Sequence, residues 1–374
     1  IVLVICACVH AGEGLTLFPQ QIHLDGRFAR GQVVAMETTT GDSSPGSADM
    51  TRQVIYGSSD QRVVAIDAQG RLQAVGDGSA TITATRNGVS RLLPVTVSNT
   101  VNTPIDCVRD IRPILNKTGC ASAACHASQY GKGGFKLSVF GFDPAADYEA
   151  IARESRQRRV SLASPEMSLV LRKPSMGVSH GGGMRLHPDS IEYQTFQAWI
   201  QQGVPSPAKE PLEVARLELF PKHRTGSLGY EQQLRVMAHY GDGTSRDVTS
   251  LAKYDSMDDG IVQVDRSGYV STVGKGQAAV MVRYEGQAEI ATFVVPFSDS
   301  LELENWKSNN FIDDLAEAKF RELGLQPSDV CDDATFIRRA FLDAIGGLPT
   351  SEQTLEFTQS DDPRKREKLV DQLL

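Results

Sequence analysis

The stretch Val63-Val-Ala-Ile-Asp-Ala-Gln-Gly-Arg-Leu-Gln-Ala-Val75 decides the fold of the first part of the chain. It contains two apolar runs separated by the turn residues Asp67-Ala-Gln-Gly70. Gly76-Asp-Gly78 then leads into the alternating run Ala80-Thr-Ile-Thr-Ala-Thr85. Period-two alternation bounded by glycine and aspartate is typical of short strands joined by turns, where glycine takes a positive φ without steric penalty. We therefore predict an all-β segment.

The same pattern occurs a second time, because residues 49–88 align with residues 247–286 without a gap. The matched positions include both turn and strand residues: Asp49/Asp247, Thr51/Thr249, Tyr56/Tyr254, Ser58/Ser256, Asp60/Asp258, Val64/Val262, Asp67/Asp265, Gly70/Gly268, Val75/Val273, Gly76/Gly274, Gly78/Gly276, Ala80/Ala278 and Gly88/Gly286. Chance would not keep one register over such a length, so an internal repeat is indicated. Short strands at this spacing predict a β-sandwich for each copy.

The repeated pattern resembles the bacterial immunoglobulin-like (group 2) domain of bacterial surface proteins. The resemblance implies one such domain at residues 12–98 and a second at residues 207–297. It also implies a spacer or adhesion role, with cell-surface polysaccharide or protein as a partner, and it supplies no catalytic residues.

A mainly α-helical domain is predicted between the two copies, at residues 99–206. Apolar residues recur at helical spacing from Ile105 to Asn116, and Pro113 should bend or end that helix. A second helix is predicted to begin after the N-cap Ser190 and to stop at Gly203.

Residues 298–374 are predicted to be an α-helical segment that forms the N-terminal part of a longer domain. One amphipathic helix should close at Gly324, and another should start at the acidic cap Asp332-Asp333 and stop at Gly346-Gly347. The acidic and basic residues here are interpreted as caps and surface pairs. No catalytic motif occurs in these residues, so whether the protein is an enzyme stays open.

The run Cys120-Ala-Ser-Ala-Ala-Cys125-His126 is where chemistry is expected. Covalent haem needs two thiols for the vinyl groups and a histidine directly after the second thiol; the usual form is C-x-x-C-H, two residues shorter than this one. The motif is also compatible with a disulfide across the loop, or with half of a zinc site whose other ligands are not recognisable. From the residues alone, these alternatives stay open.

The order of a helix, the Cys-Cys-His motif, a Gly-rich loop and a second helix resembles the class I cytochrome c fold. More closely, the chain resembles large secreted bacterial proteins that join a cytochrome c-like domain to immunoglobulin-like domains and a family of unknown function (DUF1549-like). The shared motifs are Arg112-Pro-Ile-Leu115, Gly119-Cys120, Cys125-His126, His180-Gly-Gly-Gly183, Trp199-Ile200, Phe336-Ile-Arg-Arg339, Leu342-Asp343 and Ile345-Gly-Gly-Leu-Pro349.

This resemblance implies haem c, with thioether bonds from Cys120 and Cys125 and with His126 as the proximal iron ligand. It favours His180 as the distal ligand, because the family pattern keeps a histidine before the glycines. Met184 is the alternative distal ligand; Met176 and His187 are weaker candidates.

Export to the periplasm or cell surface is predicted from residues 1–11, which look like the end of a signal peptide. Val9-His-Ala11 would be the cleavage site, and Ile5-Cys-Ala-Cys8 is a partial lipoprotein box. The run is too short to span a bilayer, so no transmembrane span is predicted. The spacing of Cys107 and Cys331 does not decide whether they are free or paired.

The net charge of −8 argues against a nucleic-acid partner. The basic runs Arg153 to Arg159 and Arg364 to Lys368 are interpreted as solvated faces.

Three functions follow as hypotheses. The first is electron transfer by an exported c-type cytochrome-like protein with an unidentified redox partner. The second is a surface adhesion or carbohydrate-contact protein without haem, in which the two cysteines form a disulfide. The third is an electron relay to a catalytic domain outside this segment.

Overall fold

The structure is a computed structural model that describes residues 14–38, 47–101, 103–299, 301–303 and 306–374. The chain divides into two compact units, Ile1–Asp299 and Ser300–Leu374. The predicted leader at residues 1–11 lies outside the described residues. In the part of the chain that is described, no helix has both the length and the apolar character needed to cross a membrane.

In its described residues, 14–38 and 47–98, the first repeat contains strands β1 to β9 in three small sheets with the orders β1-β4, β2-β9-β8-β5 and β3-β7-β6. The strands are β1 Gly14–Phe18, β2 Ile22–Asp25, β3 Arg30–Gln32, β4 Val34–Thr38, β5 Ile55–Ser58, β6 Val64–Ile66, β7 Arg71–Ala74, β8 Gly78–Arg86 and β9 Val89–Ser98. Along β8 the side chains of Ala80, Ile82 and Ala84 are buried and alternate with less buried threonines. The predicted alternation is therefore confirmed.

The second repeat, residues 214–295, has the same sheet orders with one additional edge strand: β10-β13-β14, β11-β19-β18-β15 and β12-β17-β16. Its strands are β10 Val214–Phe220, β11 His223–Thr225, β12 Glu231–Gln233, β13 Arg235–Tyr240, β14 Ser245–Asp247, β15 Lys253–Ser256, β16 Val262–Val264, β17 Tyr269–Thr272, β18 Gly276–Tyr284 and β19 Gln287–Val295. The internal repeat found in the sequence is thus a repeat of structure.

The two repeats contact each other through equivalent residues. The Asp49 carboxylate accepts two hydrogen bonds from the second repeat. The backbone N–H of Gln233 and the side-chain amide of Gln232 each donate to it at 2.7 Å. The matched Asp247 accepts the backbone N–H of Gln32 in the first repeat at 3.0 Å. A contact in which each partner offers the same patch has approximate two-fold symmetry.

The central segment, residues 103–206, contains short helices joined by long irregular stretches. Its helices are a π-helical turn at Cys107–Ile111, α1 Arg112–Lys117, α2 Pro144–Ala152, α3 Leu169–Arg172 and α4 Ile191–Gln201, with short 3-10 turns at Val139–Gly141, Ser155–Gln157 and Pro165–Met167. Pro113 lies in the first turn of α1 and does not end the helix. Proline is tolerated there because the first backbone N–H groups of a helix have no intrahelical acceptor. The predicted N-cap Ser190 is confirmed, since its Oγ accepts the Tyr193 N–H at 3.2 Å.

The central segment shares one apolar core with the second repeat. Fully buried Phe196, Trp199 and Ile111 belong to the same cluster as Phe293 and Val280.

Charged contacts join the same two parts. The Arg246 guanidinium donates to the Asp110 carboxylate at 2.7 Å, and Arg112 pairs with Glu285. Lys117 donates to a backbone carbonyl of the second repeat, that of Ala252. The central segment is therefore held firmly on the second repeat.

Over residues 301–303 and 306–374, the C-terminal unit contains four helices: α5 Phe311–Leu323, α6 Asp333–Ile345, α7 Ser351–Gln359 and α8 Lys365–Leu373. Its small core consists of Ile337, Phe341, Phe357 and Leu369. The predicted helix ends at Gly324 and Gly346 are confirmed, and both glycines are left-handed.

The acidic pair of the C-terminal unit has structural partners. Asp332 caps α6 by accepting the Thr335 N–H at 2.7 Å, and Asp333 pairs with Arg366 at 2.7 Å. These observations bear out the interpretation of the pair as a cap and a surface ion pair.

Candidate functional site

The predicted site residues meet at a cavity of the central segment, here called the central cavity, with a volume of about 490 Å³. Cys120, Cys125, His126 and His180 all line it. Met184, the alternative distal ligand, does not; its side chain is 54% exposed. The remaining lining residues are Leu115, Lys132, Gly133, Gly134, Phe135, Ser155, Arg158, Arg159, Leu169, Val170, Lys173, Pro174, Gly181, Gly182, Leu186 and Phe196.

The cysteine loop follows α1 and folds back on itself. The His126 N–H donates to the Cys120 carbonyl at 3.1 Å, which closes the loop. Cys120 is buried, with its Sγ 3.3 Å from the Thr118 hydroxyl, and burial raises the pKa of its thiol. Cys125 is partly exposed, and both thiols are free, as are those of Cys107 and Cys331.

Two imidazoles face the central cavity. Nδ1 of His126 lies 3.1 Å from the Phe135 carbonyl, and Nδ1 of His180 lies 2.8 Å from the Gly183 carbonyl. A carbonyl oxygen can only accept a hydrogen bond, so each Nδ1 carries the proton. Nε2 of each ring takes no part in these two hydrogen bonds. The two ring centroids are 6.3 Å apart with an interplanar angle of 12°. Burial lowers the pKa of His126.

Glycines bring the backbone close to these rings. A Cβ built on Gly182 would lie 2.9 Å from the His180 ring, whereas a Cβ on Gly181 would meet nothing within 4 Å. Glycine at position 182 therefore leaves room for the His180 imidazole, and the backbone at Gly181 stays open.

The charged side chains that line the central cavity are all positive. Lys132, Arg158, Arg159 and Lys173 line the cavity, and none of the described lining residues is aspartate or glutamate. Arg159 is anchored, because its guanidinium donates to the Ala150 carbonyl at 2.6 Å and also to the Gly134 carbonyl. The sequence interpretation of Arg153 to Arg159 as a solvated face missed Arg159, which is buried, and no periodicity signals its inward position. Arg158 lines the cavity with an exposed side chain.

The prediction of haem c and iron is wrong. Over residues 14–38, 47–101, 103–299, 301–303 and 306–374, no three His, Cys, Asp or Glu side chains form a group that could hold a metal ion. The hypothesis of electron transfer through a haem required that cofactor, so it is not supported either.

Two family models match the chain. Residues 29–97 match the bacterial Ig-like domain (group 2). Residues 311–374 match a protein of unknown function (DUF1549). These matches confirm both resemblances at the level of those segments, and neither match covers the central segment, for which a cytochrome c-like fold is not shown. No curated protein matches the chain.

Solved structures of surface proteins align with the chain at low similarity. Domains 5-6 of the S-layer protein SbsC share 12% identity, with 76% of this chain and 97% of that chain covered and a TM-score of 0.29. BT4661, a SusE-like surface located polysaccharide binding protein from Bacteroides thetaiotaomicron, shares 10% identity over 76% of this chain and 35% of its own, with a TM-score of 0.15. Invasin, a bacterial integrin-binding protein, shares 11% identity over 75% and 58%, with a TM-score of 0.16.

The chain spans 24% of the length of the S-layer chain rSbsC(31-844). It is a multidomain protein with mostly β-sheets in its N-terminal two-thirds and a helical C-terminal segment, and it contains a bacterial Ig-like (group 2) domain at residues 29–97.

Proposed function

We propose that this chain belongs to an exported protein that contacts a polysaccharide or a protein at the bacterial cell surface. In this proposal the Ig-like domains extend over residues 12–98 and 207–297, flank a ligand-contacting domain at residues 99–206, and are followed by a further domain from residue 298. The observation that carries the proposal is a ligand-sized cavity held on a pair of Ig-like repeats.

The rigidity of the pair supports this role. Asp49 and Asp247 each bond to the opposite repeat, and Asp49 is 9% exposed. Buried hydrogen bonds of this kind are costly to break, because the partner left behind is unsatisfied. A scaffold that resists bending keeps a contact site in a fixed position relative to the surface that carries it.

The central cavity supports the contact itself. We assign Cys120, Cys125, His126 and His180 to the ligand-contacting wall, and Met184 to the exposed rim outside it. Ligand sites of proteins have volumes of roughly 300–1,000 Å³ and combine apolar walls with a few polar groups. The central cavity has both features, since Leu115, Leu186 and Phe196 lie beside the imidazoles.

The test is the binding of the fluorescently labelled full chain to intact cells of the source bacterium. We expect saturable binding that is lost after periodate oxidation of the cells if the partner is a polysaccharide, or after protease treatment if it is a protein. An absence of saturable binding to the cells would contradict the proposal. Bovine serum albumin with the same label is the control for adsorption.

A further inference from the structure

We infer that the central cavity binds an acidic sugar residue, one that carries a carboxylate or a sulfate. This inference rests on the proposed function and narrows its ligand to a chemical class. It concerns the side chains on the cavity wall and requires no metal ion.

The charges of the wall select an anion. Lys132 and Arg158 line the cavity, and within the described residues neither side chain has an ion-pair partner. Lys173 donates only to a backbone carbonyl, that of Ser179, at 3.3 Å. Arg159 differs from these three cations, because its guanidinium lies 3.6 Å from the Glu154 carboxylate. Several cations on one cavity wall raise the local concentration of anions there.

The polar groups between these cations suit the hydroxyls of a sugar. Nε2 of His126 and of His180 remains available, because Nδ1 of each ring is used by a carbonyl. Gly133 and Gly181 have open space where a Cβ would stand, so a ligand can approach their backbone closely. The Gly134 carbonyl is not part of this set, because it accepts from Arg159. Hydroxyls both donate and accept hydrogen bonds, and they match neutral imidazole nitrogens and backbone groups.

The apolar part of the wall suits the C–H face of the same ring. Phe135 packs against His126 with centroids 4.6 Å apart, and Phe196 and Leu186 form buried wall nearby. A pyranose presents polar edges and an apolar face, which is the combination that this wall can cover. A fully hydrophilic anion such as inorganic phosphate would leave the apolar wall unused.

The experiment is isothermal titration of the full chain with three defined probes. Trigalacturonate supplies the carboxylate, a sulfated carrageenan tetrasaccharide supplies the sulfate, and galactotriose is the neutral match. We expect at least one acidic probe to bind about tenfold or more tightly than galactotriose, with affinity falling as salt is added. The two acidic probes identify which group is preferred.

Two double variants test whether the acidic probe binds in the cavity: one reverses charges on the cavity wall, and the other reverses charges on residues beside it. Lys132→Glu with Arg158→Glu should weaken binding of the acidic probe by about tenfold or more. Lys136→Glu with Arg156→Glu makes the same charge change at exposed neighbours that do not line the cavity, and it should leave the affinity within about twofold. All four side chains are exposed, and far-UV circular dichroism checks that each variant is folded.

Three outcomes would overturn the inference: equal binding of neutral and acidic probes, equal loss in both double variants, or no binding of any probe. In each case saturable binding of the chain to cells would still stand, so failure here is distinguishable from failure of the proposed function.

Discussion

The Asp49 carboxylate accepts the Gln233 N–H at 2.7 Å, and this bond has a counterpart between Asp247 and Gln32 on the other side of the repeat contact. The two sides differ in charge. Asp247 lies 3.0 Å from the Arg235 guanidinium, whereas Val34 occupies the position that corresponds to Arg235 in the first repeat. Burial raises the pKa of Asp49 from 3.8 to about 6. The two-fold contact is therefore symmetric in hydrogen bonds and asymmetric in charge.

We predict that the repeat contact loses stability as the pH rises. The folded Asp49 binds its proton up to about pH 6, and the unfolded carboxyl releases it near the ordinary value of 3.8. The folded state thus holds more protons between these two values, and the free energy of unfolding decreases as the pH rises through that window. The contribution of this carboxyl should be on the order of 3 kcal/mol.

Urea unfolding of the full chain at pH 4, 5, 6 and 7 measures this effect. The relevant quantity is the difference between the wild type and Asp49→Asn, because other carboxyls titrate in both proteins. Asp49→Asn should flatten the pH dependence, and Asp247→Asn is the matched control at the equivalent position. An unchanged pH slope in Asp49→Asn would contradict the prediction.

A second prediction concerns the docking of the central segment on the second repeat. Removing Arg246 leaves Asp110, whose side chain is 16% exposed, without its partner at 2.7 Å. We expect Arg246→Ala to destabilise the protein by about 3–5 kcal/mol, because an uncompensated charge stays buried. Arg283→Ala removes a pair whose side chains are 48% and 47% exposed, and it should cost less than about 1 kcal/mol. Equal urea midpoints for the two variants would show that the buried pair does not hold the docking.

A third prediction concerns the position of His180. Gly182→Ala places a methyl group 2.9 Å from the imidazole, so the ring must move. We expect a shifted His180 Hε1 resonance and about fivefold weaker binding of the acidic probe. Gly181→Ala adds a methyl group to open space and should change neither quantity. If Gly181→Ala and Gly182→Ala behave alike, the room left by glycine at position 182 does not determine the position of the ring.

The strands of the second half of each repeat were predictable because their turns are local. Asp67 and Gly70 mark a turn that recurs at Asp265 and Gly268, and one register carries the whole alignment. The gapless alignment does not extend into the first half of the repeat, which only the resemblance to a family included. Gln32 and Asp49 are farther apart in sequence than their equivalents Gln233 and Asp247, so the gapless alignment ends there.

The contact between the repeats could not be predicted from sequence. Asp49 and Gln233 are separated by 184 residues, and no sequence pattern around either residue indicates the other as its partner. The same holds for Arg246 and Asp110, whose pairing depends on how two separately patterned segments pack.

The candidate site was predictable only where its residues are close in sequence. Cys120, Cys125 and His126 follow one another in a single loop, and His180 was added through resemblance to a family. Lys132 and Arg158 were missed, because charged residues in loops have the same sequence pattern whether they face solvent or a cavity. The haem prediction was wrong because a short motif specifies the thiols and the histidine, but not the group that they surround.

The most direct test of ligand contact at the central cavity is the alkylation rate of Cys125. Cys125 lines the cavity and is partly exposed, and Cys331 is a partly exposed thiol of the C-terminal unit that serves as internal control. The reduced full chain is treated with iodoacetamide, and the two cysteine peptides are quantified by mass spectrometry with and without saturating acidic oligosaccharide. We predict that bound ligand slows alkylation of Cys125 at least about fivefold and leaves Cys331 unchanged. An unchanged rate at Cys125, or an equal change at both cysteines, would contradict ligand binding in the cavity.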